Sequence, residues 1–356
     1  MSNKRRGHAG DGGGKWSRRI KHLYLVLDDW TNGYNIHKIQ ADSFDSDSDS
    51  DSDDQHSGTA RYLPEPPALR LESPVGLVPH SGMSFSALGA NIFTFMNQRC
   101  SLIYNTKTAA MTIGAHAPAD MLCGFGITVV VGEMLYALSY YFRAKQHSFG
   151  VMSWGAGPGR LCRHHRRVNS YALHPDGCTI FMSTANFKTT PSKGNMCTYS
   201  FNTNDSVWRW HGEWALPFTG QAHFDSELNA WVGLRRDGYI SACQVASPSC
   251  HNTTPTLQLD YQTTKEKLVC KDGQIHMKAS LTYMGTSKFC LVECVKWEGV
   301  RKGQALGDHD GCVLLITIFG LKYNHKGELQ ITDRRSTRSF IVSRQKGHFR
   351  PVAFWM

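Results

Sequence analysis

Two short clusters join thiol, imidazole and carboxylate groups closely enough to suggest chemistry. LCRHHRR, residues 161–167, sets Cys162, His164 and His165 side by side. Thiolate and imidazole are zinc ligands, but a structural zinc site needs four of them at matched spacing. His147 and Cys178 are the remaining candidates and nothing in their surroundings marks them, so no metal site is assigned and the run reads as a mobile basic loop. GDHDG, residues 307–311, groups Asp308, His309 and Asp310. Carboxylate and imidazole together can hold a metal or move a proton. A polar turn ending in Gly before the apolar run CVLLITIF accounts for the same residues, and a turn is the expectation.

Phosphate-cradling chemistry is absent from the sequence. GAGPGR at 155–160 lacks the G-x-G-x-x-G spacing and a following helix, and CGFGIT at 123–128 leads into a strand, so both read as loops. There is no Walker A run, nucleophile elbow or HExxH. No catalytic residue and no cofactor is therefore assigned, and the chain is not expected to be an enzyme. Modification chemistry is better marked. In DSFDSDSDSDSDD, residues 42–54, Ser46, Ser48 and Ser50 each have Asp on both sides and Asp three positions on, an acceptor pattern for an acidic-directed kinase. Phosphates there would deepen a local negative charge able to bind a basic partner or the protein's own basic arm.

The elements that must carry these residues are legible in a repeat. FNTNDSVW (201–208) and FDSELNAW (224–231) share an aromatic, an Asx and, six residues later, a Trp: Asn202 with Trp208, Asp225 with Trp231. Tyr104-Asn105 before Met111 and Leu27-Asp28 before Tyr34 keep the register, and Tyr323-Asn324 before Gln330 is a degraded copy. Around them, apolar runs of five to eight residues alternate with turns such as VGEM (131–134), HPDG (174–177), RRDG (235–238) and NHKG (324–327). An Asx side chain closes such a turn by bonding its own backbone, and Gly supplies positive φ. Many short strands without a long 3.6-residue period predict an all-β fold. The step from 202 to 225 is 23 residues, so two steps make ~46, the size of one four-stranded propeller blade. The expectation is a kelch-like β-propeller of about six four-stranded blades, with the repeated Trp residues packing between blades.

Organisation follows from composition. Residues 1–19 read as a disordered basic arm and 20–41 as a first hairpin that closes the propeller by pairing with strands near 313–356. Residues 42–74 read as an acidic, Pro-rich linker, and 75–356 as the main array; within it, 143–169 break the strand texture. MLCGFGITVVVGEMLYALSYYF, residues 121–142, is long enough for a bilayer, but Gly132-Glu133 at its middle predicts the hairpin ITVVV–GE–MLYALSYY instead, so no membrane partner is expected. The net charge of +10 sits in the arm, in 160–167 and in scattered positions, without the interleaved aromatics of a nucleic-acid platform, and nucleic acid is not expected. Eleven Cys without a CxxC, and no apolar leader at the start, imply reduced thiols in cytoplasm or nucleus.

The Asx-x5-Trp hairpin resembles the third and fourth strands of a kelch repeat, although the Gly-Gly pair of that repeat occurs here only at 12–14. HLYLVLDDW, the DSDSDSD run, SYALHPDGCTIFMST, RWHGEWALPFTGQAHFDSELNAWVGL, LTYMGTSKFCLVE and the closing FWM are together similar to a large grass-plant family of uncharacterised kelch-like proteins, classed as a domain of unknown function. The resemblance implies a propeller and no particular activity. The function expected is protein–protein recognition on a rigid propeller. The alternatives are substrate recognition with a ubiquitin-ligase adaptor, or an enzyme acting in a central channel.

Overall fold

Every element assigned among the described residues is a β-strand. The computed structural model describes residues 21–40, 61–73, 83–95, 101–114, 127–140, 147–152, 162–163, 166–186, 196–248, 259–270, 276–297, 299–301, 304–333, 337–347 and 349–356. The strands are β1 (His22–Trp30), β2 (Gly33–Gln40), β3 (Arg61–Tyr62), β4 (Leu69–Glu72), β5 (Ser84–Leu88), β6 (Asn91–Phe95), β7 (Ser101–Asn105), β8 (Met111–Ile113), β9 (Ile127–Val131) and β10 (Met134–Tyr140). They continue with β11 (His147–Met152), β12 (Cys162–Arg163), β13 (Arg166–Leu173), β14 (Thr179–Asn186), β15 (Cys197–Asn202), β16 (Val207–Gly212), β17 (Gly220–Asp225), β18 (Ala230–Leu234), β19 (Ile240–Gln244) and β20 (Tyr261–Thr263). The last are β21 (His276–Gly285), β22 (Lys288–Lys296), β23 (Gly307–Tyr323), β24 (Leu329–Thr332), β25 (Arg338–Arg344) and β26 (Val352–Trp355).

Local sequence explains the hairpins. Thr286 and Ser287 join β21 to β22 with φ of 51° and 52°, the doubly positive turn whose twist matches the flanking strands. Gly132, at φ 57°, opens the turn between β9 and β10, so the apolar stretch expected as a hairpin is one over its described part. Gly33 is required for a different reason: a Cβ there would overlap the Leu71 carbonyl where β4 lies against β2.

The strands form antiparallel meanders. Three sheets are four-stranded: β26–β1–β2–β4, β5–β6–β7–β8 and β12–β11–β10–β9. An eight-stranded sheet consists of β13–β16 and β17–β20 joined through a parallel pairing of β13 with β17. The last sheet runs β21–β22–β23–β25–β3, with β24 also on β23. In the first sheet β26, late in the chain, pairs with β1, Leu23 opposite Trp355 and Val26 opposite Val352.

Each meander is apolar on both faces, so neighbours bury them against one another. Val26, Tyr34 and Ile36 pack on Phe85, Ile92 and Tyr104. Phe93, Phe95 and Ile103 pack on Leu135, and Val129, Val131 and Tyr136 on Ile180, Met182 and Phe201. Ala172 and Phe181 meet Trp231 and Cys243, Val232 and Ile240 meet Phe289 and Phe319, and Val292, Leu314 and Ile316 meet Leu23, Leu25 and Leu27. The sixth interface returns to the sheet that contributes to the first.

Three expectations need correction. Residues 61–72, expected within a linker, supply β3 and β4; Leu71 alternates inward and pairs with Tyr34, which outweighs the Pro-rich composition before it. GDHDG is not a turn but the opening of β23, extended because Tyr62, Ser343, Thr31 and Gln345 bond its carboxylates. The described parts of 143–169 are strand, as β11, β12 and the start of β13. Ser46, Ser48, Ser50, GAGPGR, His164 and His165 lie outside the described residues.

Candidate functional site

The repeated Asx positions are brought to hairpin turns, not to one pocket. Asn105 Oδ1 accepts from the amides of Lys107 and Thr108 at 3.0 and 3.1 Å, and Asn202 Oδ1 from those of Asn204 and Asp205 at 2.8 and 3.4 Å. Asn324 Oδ1 accepts from Lys326 and Glu328, both at 2.9 Å. Asp225 Oδ1 does the same with Glu227 and Leu228 at 3.1 and 2.9 Å. These are local turn-closing bonds of Asx side chains. The bulky residue that follows stands directly across the hairpin: Met111 opposite Tyr104, Trp208 opposite Phe201, Trp231 opposite Phe224. The copy at Asn324 slips, since Leu329 and not Gln330 faces Tyr323.

Asp28 departs from the pattern. Its turn is the tight Thr31–Asn32 pair, and Leu27 faces Asn35. The carboxylate instead meets the Arg344 guanidinium and accepts from the Lys346 amide at 2.5 Å, with Asp28 and Arg344 both fully buried. Arg344 Nη2 also donates to Phe349 O at 2.9 Å. Asp28 thereby ties β1 to β25 and to the connection before β26. Asp225 makes an equivalent tie: Tyr283 Oη, Ser287 N and Ser287 Oγ donate to it at 3.0, 2.9 and 2.8 Å, linking the β17–β18 turn to the β21–β22 turn.

The two repeated Trp residues divide. Trp231 is 0% exposed, donates Nε1 to Leu173 O at 2.8 Å and packs on Phe181 at 5.2 Å between centroids. Trp208 is only half-buried, tilted on Phe201 at 5.0 Å, because its strand β16 is outermost in its meander. Near Trp231, Asp176 accepts from the Thr179 hydroxyl and from the amides of Cys178 and Thr179 at 2.6, 2.8 and 2.8 Å. Desolvation raises its pKa, but these hydrogen bonds and His174 prevail and hold it down at about 2.

A buried pair with the types of a nucleophile and its base also exists: Ser200 Oγ lies 2.7 Å from His211 Nε2. Both residues are buried and Phe181 lies 4.9 Å from the imidazole, so the pair is packed into the interior. No group of three or more metal-ligating side chains occurs among the described residues, and no helix there is long and apolar enough to cross a membrane.

What the repeat did not reveal is the rim. The outermost strands β8, β16 and β20 carry exposed Met111, Ile113, Val207, Trp210 and Tyr261, with Ile113 at 74% and Trp210 at 54%. Among the described residues β16 pairs only with β15 and β8 only with β7, so each offers one backbone edge beside apolar side chains. The signal available in the sequence was VWRW, in which Trp208 and Trp210, two positions apart, share one face of β16 at the outside of its meander.

Solved structures similar to the chain share little sequence with it. A protein of unknown function from Bacteroides thetaiotaomicron VPI-5482 is 10% identical with a TM-score of 0.41, over 70% of this chain and 57% of that one. The Neurospora crassa Pan2 WD40 domain is 9% identical with a TM-score of 0.41, over 73% and 66%. The β-propeller domain of Cps50 (Swd1) from Myceliophteria thermophila is 7% identical with a TM-score of 0.34, over 70% and 85%. The chain thus spans less than two thirds of the length of the first two. No curated protein matches the sequence. The model of a family described as "Protein of unknown function (DUF1668)" matches residues 20–340, nearly the whole stretch that builds the sheets, and the chain belongs to that family.

Proposed function

We propose that the chain is a six-bladed, kelch-like β-propeller whose outer strands recognise another protein. The six antiparallel meanders and the six interfaces that lead from each to the next, and back to the first, support the ring. The observation that carries the recognition role is the exposure of large apolar side chains on outermost strands, Ile113 on β8 and Trp210 on β16, while Asp28 and Asp225 fasten the interior. Exposed aromatic and apolar residues on a rigid frame suit a partner surface. The role is not enzymatic in this reading, because the Ser200–His211 pair is enclosed. Cys178, Cys197, Cys243, Cys270, Cys290, Cys294 and Cys312 are free thiols, five of them buried, which fits the cytoplasm or nucleus.

The test is capture of partners on the immobilised full chain, wild type beside Trp210→Ala and Ile113→Ser. Substitutions at such exposed sites change stability by only about 0.5 kcal/mol, so the variants keep the melting temperature. The expected result is a protein retained by wild type and lost from one or both variants. An identical retained set for all three, or no specific retention, removes the rim from consideration.

A further inference from the structure

We infer that Tyr171, Gln221 and Arg350, with His223 behind them, form a binding site for a small oxyanion, a carboxylate or a phosphate. The site is separate from the outer strands, so its fate and that of the rim are independent.

Strand register brings the first residues together. β13 and β17 run parallel with Tyr171 beside Gln221. Tyr171 Oη donates to Gln221 Oε1 at 3.5 Å, a long bond that an incoming oxygen can replace. Side chains on a strand repeat every second position, so His223 is the next group on the Gln221 face. It stacks on Tyr283 of β21 at 6.1 Å between centroids.

Arg350 comes from the connection between β25 and β26, and the backbone on either side of it is fastened. Phe349 O accepts from Arg344, itself held by Asp28. Pro351 O accepts from Ser280 Oγ of β21 at 2.8 Å. The guanidinium reaches the start of β17, where Nη1 lies 3.1 Å from the place a Cβ on Gly220 would occupy. Gly220, at φ 74°, therefore leaves room for the arginine beside Gln221.

The charges suit an anion. Burial pushes the Tyr171 phenol up to about 12 against the opposing charge of Arg350, so it keeps its proton at neutral pH. Burial pushes His223 down to about 4 against a hydrogen bond to the Leu281 backbone, so the imidazole is neutral. Arg350 is the cation of the group. Asp225, next on the same face of β17, is already satisfied by donors from Glu227, Leu228, Tyr283 and Ser287. Gln221 and Arg350 are exposed and Tyr171 and His223 half-buried, so the group is reached by water. A planar guanidinium offers two parallel N–H bonds to paired oxygens, and a phenol O–H adds a third donor.

The experiment titrates the isotopically labelled full chain with inorganic phosphate and, separately, with acetate at constant ionic strength. It follows the Gln221 side-chain amide and the His223 imidazole by NMR and the affinity by calorimetry. Saturable binding that moves both signals is expected, with phosphate tighter if the natural ligand is a phosphoryl group and acetate tighter if it is a carboxylate. Arg350→Gln should weaken binding by about tenfold or more and Tyr171→Phe by a smaller factor. Lys326→Gln, which removes the same charge from an exposed turn, should leave it unchanged. No saturation with either anion, unmoved Gln221 and His223 signals, or equal effects of Arg350→Gln and Lys326→Gln would overturn the site. The wild-type signals locate binding even where a variant folds poorly.

Discussion

Asp225 accepts five hydrogen bonds while fully shielded from water, two from its own turn and three from the neighbouring hairpin. Asp225→Ala strands those donors, and urea unfolding should show a loss of about 3 kcal/mol or more. Asp176 is the more telling residue for pH. Its carboxyl is held at about 2 in the folded chain against an ordinary 3.8, so it stabilises the fold above the ordinary value and the contribution fades as pH falls towards 2. The group is partly exposed, so solvent screening reduces the effect to about 1 kcal/mol. Asp176→Asn should flatten the acid limb of a stability curve between about pH 4 and 2; a limb of unchanged slope would assign it to other carboxylates. The Asx turns were readable in the sequence because the bonds span only two to four residues. Arg344 was not, since its partner Asp28 lies 316 positions away and nothing local marks an arginine as buried.

The hairpin is the element at which the repeat has meaning, and the meaning depends on which hairpin it is. Trp231 sits on the second strand of its meander, between two packed faces, and Trp208 on the fourth, at the outside. Trp231→Ala should cost about 3–5 kcal/mol, as for a large core side chain, and Trp208→Ala clearly less. Thermal and chemical unfolding of the two variants side by side measure the difference, and equal losses would contradict the assignment. The register Asx-x5-Trp could not distinguish these positions because it encodes the turn and the facing pair, both local, while exposure depends on the next meander. The strand β4 was missed for the opposite reason: its pairing with β2 is distant, and its neighbours Pro64, Pro66 and Pro67 suggest a linker.

For the whole molecule, the fastening of β1 to β25 and of β26 to β1 joins early and late parts of the chain. Arg344→Ala leaves a buried carboxylate unpaired and should destabilise by about 3–5 kcal/mol. The double change Asp28→Leu with Arg344→Met should recover much of that, because an apolar pair carries no desolvation cost. Hydrogen exchange should show β1 and β26 losing protection together in the single variant; protection lost in only one of them would mean that the two strands are not coupled. All-β character and the hairpins could be read from local sequence. The pairing of the first hairpin with late strands was expected as well, and β1 meets β26; the order in which the units pack was not readable, because it rests on contacts between distant residues.

The place of β26 in the first sheet has a consequence for synthesis. His22–Trp30 leaves the ribosome while Val352–Trp355 has yet to be translated, so the β1 edge that β26 will cover stays bare for most of elongation. A bare edge is a template for wrong pairing with another nascent chain. Chains stalled on the ribosome just before residue 352 should be open to protease at β1 and held by chaperones, and release of the last strand should end both at once.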